Sequence, residues 1–123
     1  MNFEITHTQD YYLIKFSGSI DRELMANAYL ALLKEPDFNK QSNTIWDFRD
    51  AMFALSFKDI QHNAVGLESF GEKRSSTSRS AFIITDSSDK ALLQTYITAI
   101  SRYPVEFKIF VDYHAAINWL NDN

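Results

Sequence analysis

The chain is 123 residues long and carries 16 acidic against 12 basic residues, which gives a formal net charge of -4. This length fits one domain, residues 1–123, which should bury roughly two-thirds of the unfolded chain's surface in a self-sufficient core. The absence of cysteine excludes disulfides and thiol nucleophiles, and the acidic balance argues against nucleic acid as a partner. Because the sequence shows neither a signal-peptide pattern nor an apolar run of ~18 residues, we expect a soluble cytoplasmic protein without membrane insertion.

The first third of the sequence predicts a hairpin followed by a helix. Apolar and polar residues alternate over Phe3 to Thr8 and again over Tyr11 to Ser17, which is typical of two strands joined by a short turn. Gly18-Ser19 should end the second strand. Asp21 is a good N-cap and Pro36 marks a stop. Between them apolar residues recur at helical spacing: Leu24, Met25, Ala28, Tyr29, Leu32 and Leu33.

The segment from Asn43 to Leu55 predicts a buried central strand that breaks into a charged turn. Its first residues, Thr44, Ile45 and Trp46, favour a strand. Three charges stand where that strand should end: Asp47, Arg49 and Asp50. Ser56 with Asp59 three residues later forms a capping-box pattern. A helix should therefore begin near Ser56 and present the apolar residues Phe57, Ile60, Ala64 and Leu67. The polar, serine-rich stretch from Glu72 to Ser80 predicts a loop.

The last third of the sequence predicts two further pairs of a strand and a helix. Ala81 to Ile84 and Phe107 to Val111 are apolar runs, and Asp86 and Asp112 follow them in N-cap positions. The apolar positions of the two helices are Leu92, Leu93, Tyr96, Ile97 and Ile100 in the first and Tyr113, Ala116, Ile117 and Leu120 in the second. The whole order, β-β-α-β-α-β-α-β-α, predicts an α/β fold with a mixed, mainly parallel five-stranded sheet that helices cover on both sides.

This order of elements resembles that of the STAS domains, the anti-sigma-factor antagonist (SpoIIAA-like) group. The resemblance also rests on Gly18 before the first helix, on Asp47-Phe48-Arg49 at the end of the third strand, and on the short last helix with Ala116 to Leu120. It covers nearly the whole chain. It implies the STAS fold and a tendency to bind partners or small ligands.

In that family an Asp-Ser-Ser-Gly motif opens the second helix, and a partner kinase phosphorylates a serine of the motif. Aligned with the motif, Leu55 replaces the aspartate, Ser56 matches the first serine, Phe57 replaces the second, and Lys58 replaces the glycine. The phosphorylated serine of the family matches Phe57, so the resemblance does not carry the phosphorylation switch over to this chain. Ser56 is the remaining phosphorylation candidate.

The charged segment is the best candidate for a functional site. Ligands and partners dock at the carboxyl ends of parallel strands, so we expect binding residues there: Asp47, Arg49, Asp50, Ser56, Phe57 and Asp59, with Asp86 and Asp112 at the same edge. The three charges of the segment could hold a cation, orient a polar ligand or act as acid and base. Alternatively, Arg49 neutralises its aspartates and fixes a loop. For Asp86 and Asp112, helix capping is the competing role.

Three functional hypotheses remain open. The first is a non-enzymatic regulatory module of STAS type that binds another protein through residues Asp47 to Ile60. The second is a carrier of a small apolar ligand or lipid, because the chain has ten Phe, six Tyr and two Trp. The third is a hydrolase or lyase that uses Asp47, Asp50 and His62. No cofactor is expected, since the sequence has no glycine-rich phosphate loop, and no metal is expected, since no pair of histidines has metal-ligand spacing. A homodimer is compatible with each hypothesis.

Overall fold

The computed structural model describes residues 2–8, 10–38, 42–56, 58–59, 78–85, 87–99 and 106–121. In chain order these residues form the strands and helices β1 (Phe3–His7), β2 (Tyr12–Ile20), α1 (Arg22–Leu33), β3 (Thr44–Phe53), β4 (Arg79–Ile83), α2 (Ser87–Ala99), β5 (Glu106–Phe110) and α3 (Tyr113–Asn121). The strands form one sheet in the order β1-β2-β3-β4-β5. β1 pairs antiparallel with β2, and the other described pairs are parallel. The predicted mixed, mainly parallel α/β sheet is therefore confirmed.

One face of the sheet holds a core rich in aromatic rings. Phe16, Trp46, Phe48 and Phe82 are buried there, and neighbouring ring centroids are 4.8 to 6.5 Å apart. α1 and α2 cover this face through Ala28, Leu32, Leu92 and Leu93. α1 lies between β2 and β3 in the chain, and α2 lies between β4 and β5. Each of these pairs consists of neighbouring parallel strands. Right-handed connections that advance in one direction across a sheet lie on the same side of it.

The opposite face is covered by α3. Ile45, Ala81 and Ile83 of the sheet are buried against Ala116 and Leu120 of this helix. Because α3 has nine residues, it covers part of the face. Near the carboxyl end of β3 the side chains Arg49, Asp50 and Met52 are exposed.

β3 is longer than the sequence predicted. We expected the strand to end in a turn at Asp47, Arg49 and Asp50, and this is wrong because the strand continues to Phe53. Its register against β2 moves from Lys15 opposite Asp47 to Ser17 opposite Asp50. β3 therefore carries one extra residue, a β-bulge, which shifts its side-chain alternation by one position. Phe48 before the bulge and Phe53 after it consequently pack into the same aromatic core.

Pairing with neighbouring strands also moves the end of β2 and the start of β4 away from their predicted positions. β2 continues through Gly18 and Ser19 to Ile20 instead of ending at them, because these residues pair with β3. Gly18 has a φ of 74°, which glycine adopts without steric cost. Arg79, expected in a loop, begins β4 and pairs in register with Glu106.

The local capping signals agree with the structure. Asp21 Oδ1 accepts a hydrogen bond of 2.8 Å from the backbone N–H of Leu24 and caps α1. Lys58 and Asp59 are helical, as predicted for a helix that begins near Ser56. The rest of that predicted helix, and the part of the predicted loop from Glu72 to Thr77, lie outside the described residues. Within the described residues, no helix has the length and apolar character needed to cross a membrane.

Candidate functional site

The centre of the candidate site is an ion pair between two side chains of β3. Arg49 donates from Nε to Asp47 Oδ1 and from Nη2 to Asp47 Oδ2, both at 2.9 Å, which is the bidentate geometry of a strong charged pair. The backbone N–H of Arg49 also donates to Oδ1, at 3.1 Å. The Asp47 side chain is 2% exposed and that of Arg49 is 38% exposed. The pair therefore joins a buried carboxylate to a guanidinium at the surface.

This environment fixes the charge of both groups. Burial by itself raises the pKa of the Asp47 carboxyl, but the hydrogen bonds from Arg49 and the charges of Arg49 and Lys15 outweigh burial and hold the pKa below its usual value. The hydrogen bond to Asp47 raises the pKa of the Arg49 guanidinium. An ionised carboxylate with both oxygens occupied is poorly suited to accept a proton at neutral pH. The arrangement supports the interpretation in which Arg49 neutralises an aspartate.

The first turn of α3 contributes two contacts that the sequence did not reveal. The Arg49 guanidinium lies over the ring of Tyr113, with 5.4 Å between Cζ and the ring centroid, a cation–π contact. The hydroxyls of Tyr113 and Tyr11 share a hydrogen bond of 2.6 Å. Burial, followed by this hydrogen bond, raises the pKa of Tyr113. The chain of contacts from Asp47 to Tyr11 thus links β3, α3 and the residue that precedes β2.

Next to this ion pair lies a surface that we call the β3 rim, formed by Lys15, Arg49, Asp50 and Met52. Lys15 Nζ is 3.6 Å from Asp50 Oδ2, so Asp50 pairs with β2 and not with Arg49. Met52, two residues further along β3, is 75% exposed. The β3 rim therefore combines an exposed apolar side chain, a guanidinium that Asp47 and Tyr113 orient, and an exposed ion pair.

Three other predicted site residues, Ser56, Asp59 and Asp112, have local partners. The backbone N–H of Ser56 donates to Asp59 Oδ2 at 3.0 Å, and the backbone N–H of Asp59 donates to Ser56 Oγ at 3.1 Å, which confirms the capping box. Asp112 Oδ1 accepts a hydrogen bond of 3.1 Å from the backbone N–H of His114 at the start of α3, so Asp112 acts as a helix cap. Phe57, His62 and Asp86 lie outside the described residues.

A groove of about 420 Å³ lies at the carboxyl ends of β4 and β5. Its apolar lining includes Ile84, Ile109, Phe110 and Val111, and its charged lining residues are Lys90 and Asp112. The sequence placed Asp112 at this edge but gave no sign of the groove, because Lys90 comes from a helix and the apolar residues come from two separate strands. Trp46 and Phe48, two of the aromatic residues whose number suggested a carrier, are buried in the core. In the described part of the chain no group of three or more His, Asp or Glu residues could hold a metal ion.

The sheet order and the helices on its two faces define the architecture of the described residues. One solved structure with this architecture is an uncharacterised protein of the DUF3478 family from Shewanella loihica PV-4, described as having a SpoIIAA-like fold. It matches with a TM-score of 0.61 and 21% sequence identity, over 96% of this chain and 91% of that chain. The chain therefore has a SpoIIAA-like fold, as the sequence resemblance implied. A scan against models of known protein families gives no match, and neither does a search of curated proteins.

Proposed function

We propose that this chain is a non-enzymatic regulatory module that binds another protein through the β3 rim. The observation that carries the proposal is the exposure of Met52, an apolar side chain 75% exposed that follows Arg49 and Asp50 on the same strand. Protein docking surfaces are enriched in methionine and arginine, and their apolar centre is surrounded by polar groups. The SpoIIAA-like fold adds support by analogy, since the family resemblance implies partner binding.

Arg49 is suited to this role because it is already ordered. Its two hydrogen bonds to Asp47 and its contact with the Tyr113 ring hold the guanidinium in one orientation. Binding normally costs about 0.5–1.5 kcal/mol for each flexible side chain that becomes immobilised. A guanidinium that is fixed before binding avoids most of this cost, and its planar donor group favours a carboxylate on the partner.

Phosphorylation of Ser56 stays a prediction. Ser56 Oγ accepts the Asp59 N–H at the start of a helix, and a phosphate is favourable at a helix N-terminus. The Asp59 carboxylate that pairs with the Ser56 backbone would repel that phosphate. The two effects act in opposite directions, so charge alone does not favour this serine.

Affinity capture with rim variants tests the docking surface. Tagged wild type, Met52→Asp and Asp50→Lys are used as baits in native lysate, and retained proteins are identified by mass spectrometry. Leu30→Asp is the matched control, because Leu30 is also an exposed apolar residue but lies on α1. We expect the two rim variants to lose a partner that wild type and Leu30→Asp retain, and the purified partner to bind the rim variants at least tenfold more weakly. If every variant keeps the same partners, the β3 rim is not the docking surface.

The groove supports a second candidate function, the binding of a small, largely apolar ligand. Its volume of about 420 Å³ is within the range of small-molecule sites, and it lies at the carboxyl ends of parallel strands, where such ligands bind in open α/β sheets. Native mass spectrometry of the purified protein, together with thermal unfolding in the presence of neutral apolar probes, tests this function. A retained ligand or a raised midpoint supports it, and the absence of both contradicts it.

A further inference from the structure

We propose that the groove at the ends of β4 and β5 binds a small zwitterion with an apolar body, the chemical class of the apolar α-amino acids. This inference rests on the second candidate function and adds the chemistry of the ligand. The proposal follows from the two kinds of side chain that line the groove, four apolar residues from strand ends and two opposite charges from different elements.

The apolar part of the lining selects the body of the ligand. Ile84 is buried, Ile109 and Phe110 are half-buried, and Val111 is exposed at the end of β5. Ile109 and Phe110 end β5, and Ile84 and Val111 directly follow β4 and β5. The register of these neighbouring parallel strands places Ile83 beside Phe110. A hydrocarbon group seated in the groove would remove the exposed Val111 surface from water, which favours an apolar body.

The two charges select the head of the ligand. Lys90 belongs to α2 and Asp112 lies between β5 and α3, and within the described residues neither forms an ion pair. Asp112 uses Oδ1 as the cap of α3. A ligand with only a negative charge would meet the Asp112 carboxylate, and a ligand with only a positive charge would meet the Lys90 ammonium. A ligand that carries both charges pairs its carboxylate with Lys90 and its ammonium with Asp112.

A matched set of four probes tests the assignment with the full chain. The probes share a phenyl ring and differ in their charges: L-phenylalanine has both, 3-phenylpropionate has the negative charge, 2-phenylethylamine has the positive charge, and 3-phenylpropan-1-ol has neither. Binding is followed by NMR shifts of the backbone amides of Ile84, Thr85 and Val111. Each solvent-exposed charge pair should contribute about threefold in affinity. L-phenylalanine should therefore bind about threefold more tightly than each singly charged probe and about tenfold more tightly than the alcohol.

Two conservative variants assign the charges to their partners. In Lys90→Gln, L-phenylalanine should bind no more tightly than 2-phenylethylamine does. In Asp112→Asn, it should bind no more tightly than 3-phenylpropionate does, while the helix keeps a cap because asparagine is an equally good N-cap. Unchanged amide positions on β1 and α1 in both variants show that the fold is retained.

The outcomes separate the inference from the function on which it rests. If the alcohol shifts the groove amides and L-phenylalanine binds no more tightly, the groove is a ligand site and the zwitterion inference is wrong. A preference for L-phenylalanine that survives both variants also overturns the inference. If none of the four probes shifts these amides, the inference and the small-ligand function fail together.

Discussion

Both ends of α3 are held to the sheet in the same way, by an arginine that lies over an aromatic ring of the helix and pairs with an acid. The Tyr113 contact, at the start of α3, consists of Asp47, Arg49 and Tyr113. The Trp119 contact, at its end, consists of Glu106, Arg79 and Trp119. The distances from arginine Cζ to ring centroid are 5.4 and 5.2 Å. The acids differ, since the Asp47 side chain is 2% exposed and the Glu106 side chain is 60% exposed, so only the Tyr113 contact contains a charge that depends on its partner for stabilisation.

The dipole of α3 also distinguishes the Tyr113 contact from the Trp119 contact. Arg79 Nη1 donates to the backbone carbonyl of Trp119 in the last turn of α3, where the dipole favours a cation. Arg49 lies at the opposite end of the helix, where the dipole disfavours a cation, and it is held there by Asp47. The Trp119 contact therefore follows the ordinary rules of helix stability. The Tyr113 contact departs from one of them, next to the surface that we propose for partner binding.

Among the variants that test the difference between the two contacts, Arg49→Ala should lower the free energy of unfolding most. It removes the bidentate partner of the buried Asp47 carboxylate and leaves Lys15 as the remaining charge that stabilises it. Removal of one partner of a buried pair typically costs about 3–5 kcal/mol. Arg79→Ala leaves Glu106 exposed to water and should cost about 1–2 kcal/mol, mainly from lost packing and hydrogen bonds. Urea unfolding at pH 7 measures both free energies.

A rescue variant separates the buried charge from a general loss of packing. Adding Asp47→Asn to Arg49→Ala removes the unpaired carboxylate, so the double variant should regain about 2 kcal/mol relative to Arg49→Ala alone. If the double variant is no more stable than the single one, an unpaired carboxylate is not what destabilises Arg49→Ala.

Acid should weaken the Tyr113 contact selectively. The pKa of Asp47 is lower in the folded protein than in the unfolded chain, so the stability it contributes is present above the unfolded pKa of about 4 and is lost as the pH falls through the folded pKa. Wild type should therefore lose more stability than Asp47→Asn between pH 5 and acid conditions below about pH 4. Glu106→Gln, with its exposed acid removed, should follow the wild-type profile. Urea midpoints measured at each pH test this, and parallel profiles for wild type and Asp47→Asn would contradict it.

The hydroxyl pair of Tyr11 and Tyr113 should give a smaller effect. Tyr113→Phe leaves the half-buried Tyr11 hydroxyl without the partner 2.6 Å away, which should cost about 1 kcal/mol. Tyr11→Phe should cost about the same, and the double variant should cost little more than either one. Urea unfolding of the four proteins measures the coupling, and strictly additive losses would show that the two hydroxyls do not stabilise each other.

Features that depend on nearby residues could be predicted from the sequence. The N-caps at Asp21 and Asp112 and the capping box of Ser56 and Asp59 bond to backbone groups two or three residues away. Their side-chain chemistry and spacing are therefore sufficient to predict them. The alternation of strands and helices was likewise sufficient to predict a mixed, mainly parallel sheet, but not the order of its strands.

Features that depend on pairing between distant segments could not be predicted. The bulge that carries β3 past Asp47 and Arg49 is a mismatch in register with β2, and no residue of β3 signals it alone. The hydrogen bond between Tyr11 and Tyr113 spans 102 positions of the chain. The sequence therefore identified Asp47, Arg49 and Asp50. It missed Lys15 and Met52 of the β3 rim and the tyrosines that contact each other and Arg49.

The smallest expected effect is that of Glu106→Gln in the Trp119 contact. Arg79 Nε is 3.1 Å from Glu106 Oε2, but exposed ion pairs contribute about 0.2–1 kcal/mol, and salt reduces this further. Since Arg79 keeps its contact with the Trp119 ring and its bond to the Trp119 carbonyl in this variant, we expect a loss below about 0.5 kcal/mol that disappears in 0.5 M salt. A loss as large as that of Arg49→Ala, or one that persists in salt, would mean that burial of the acid does not distinguish the two ends of α3.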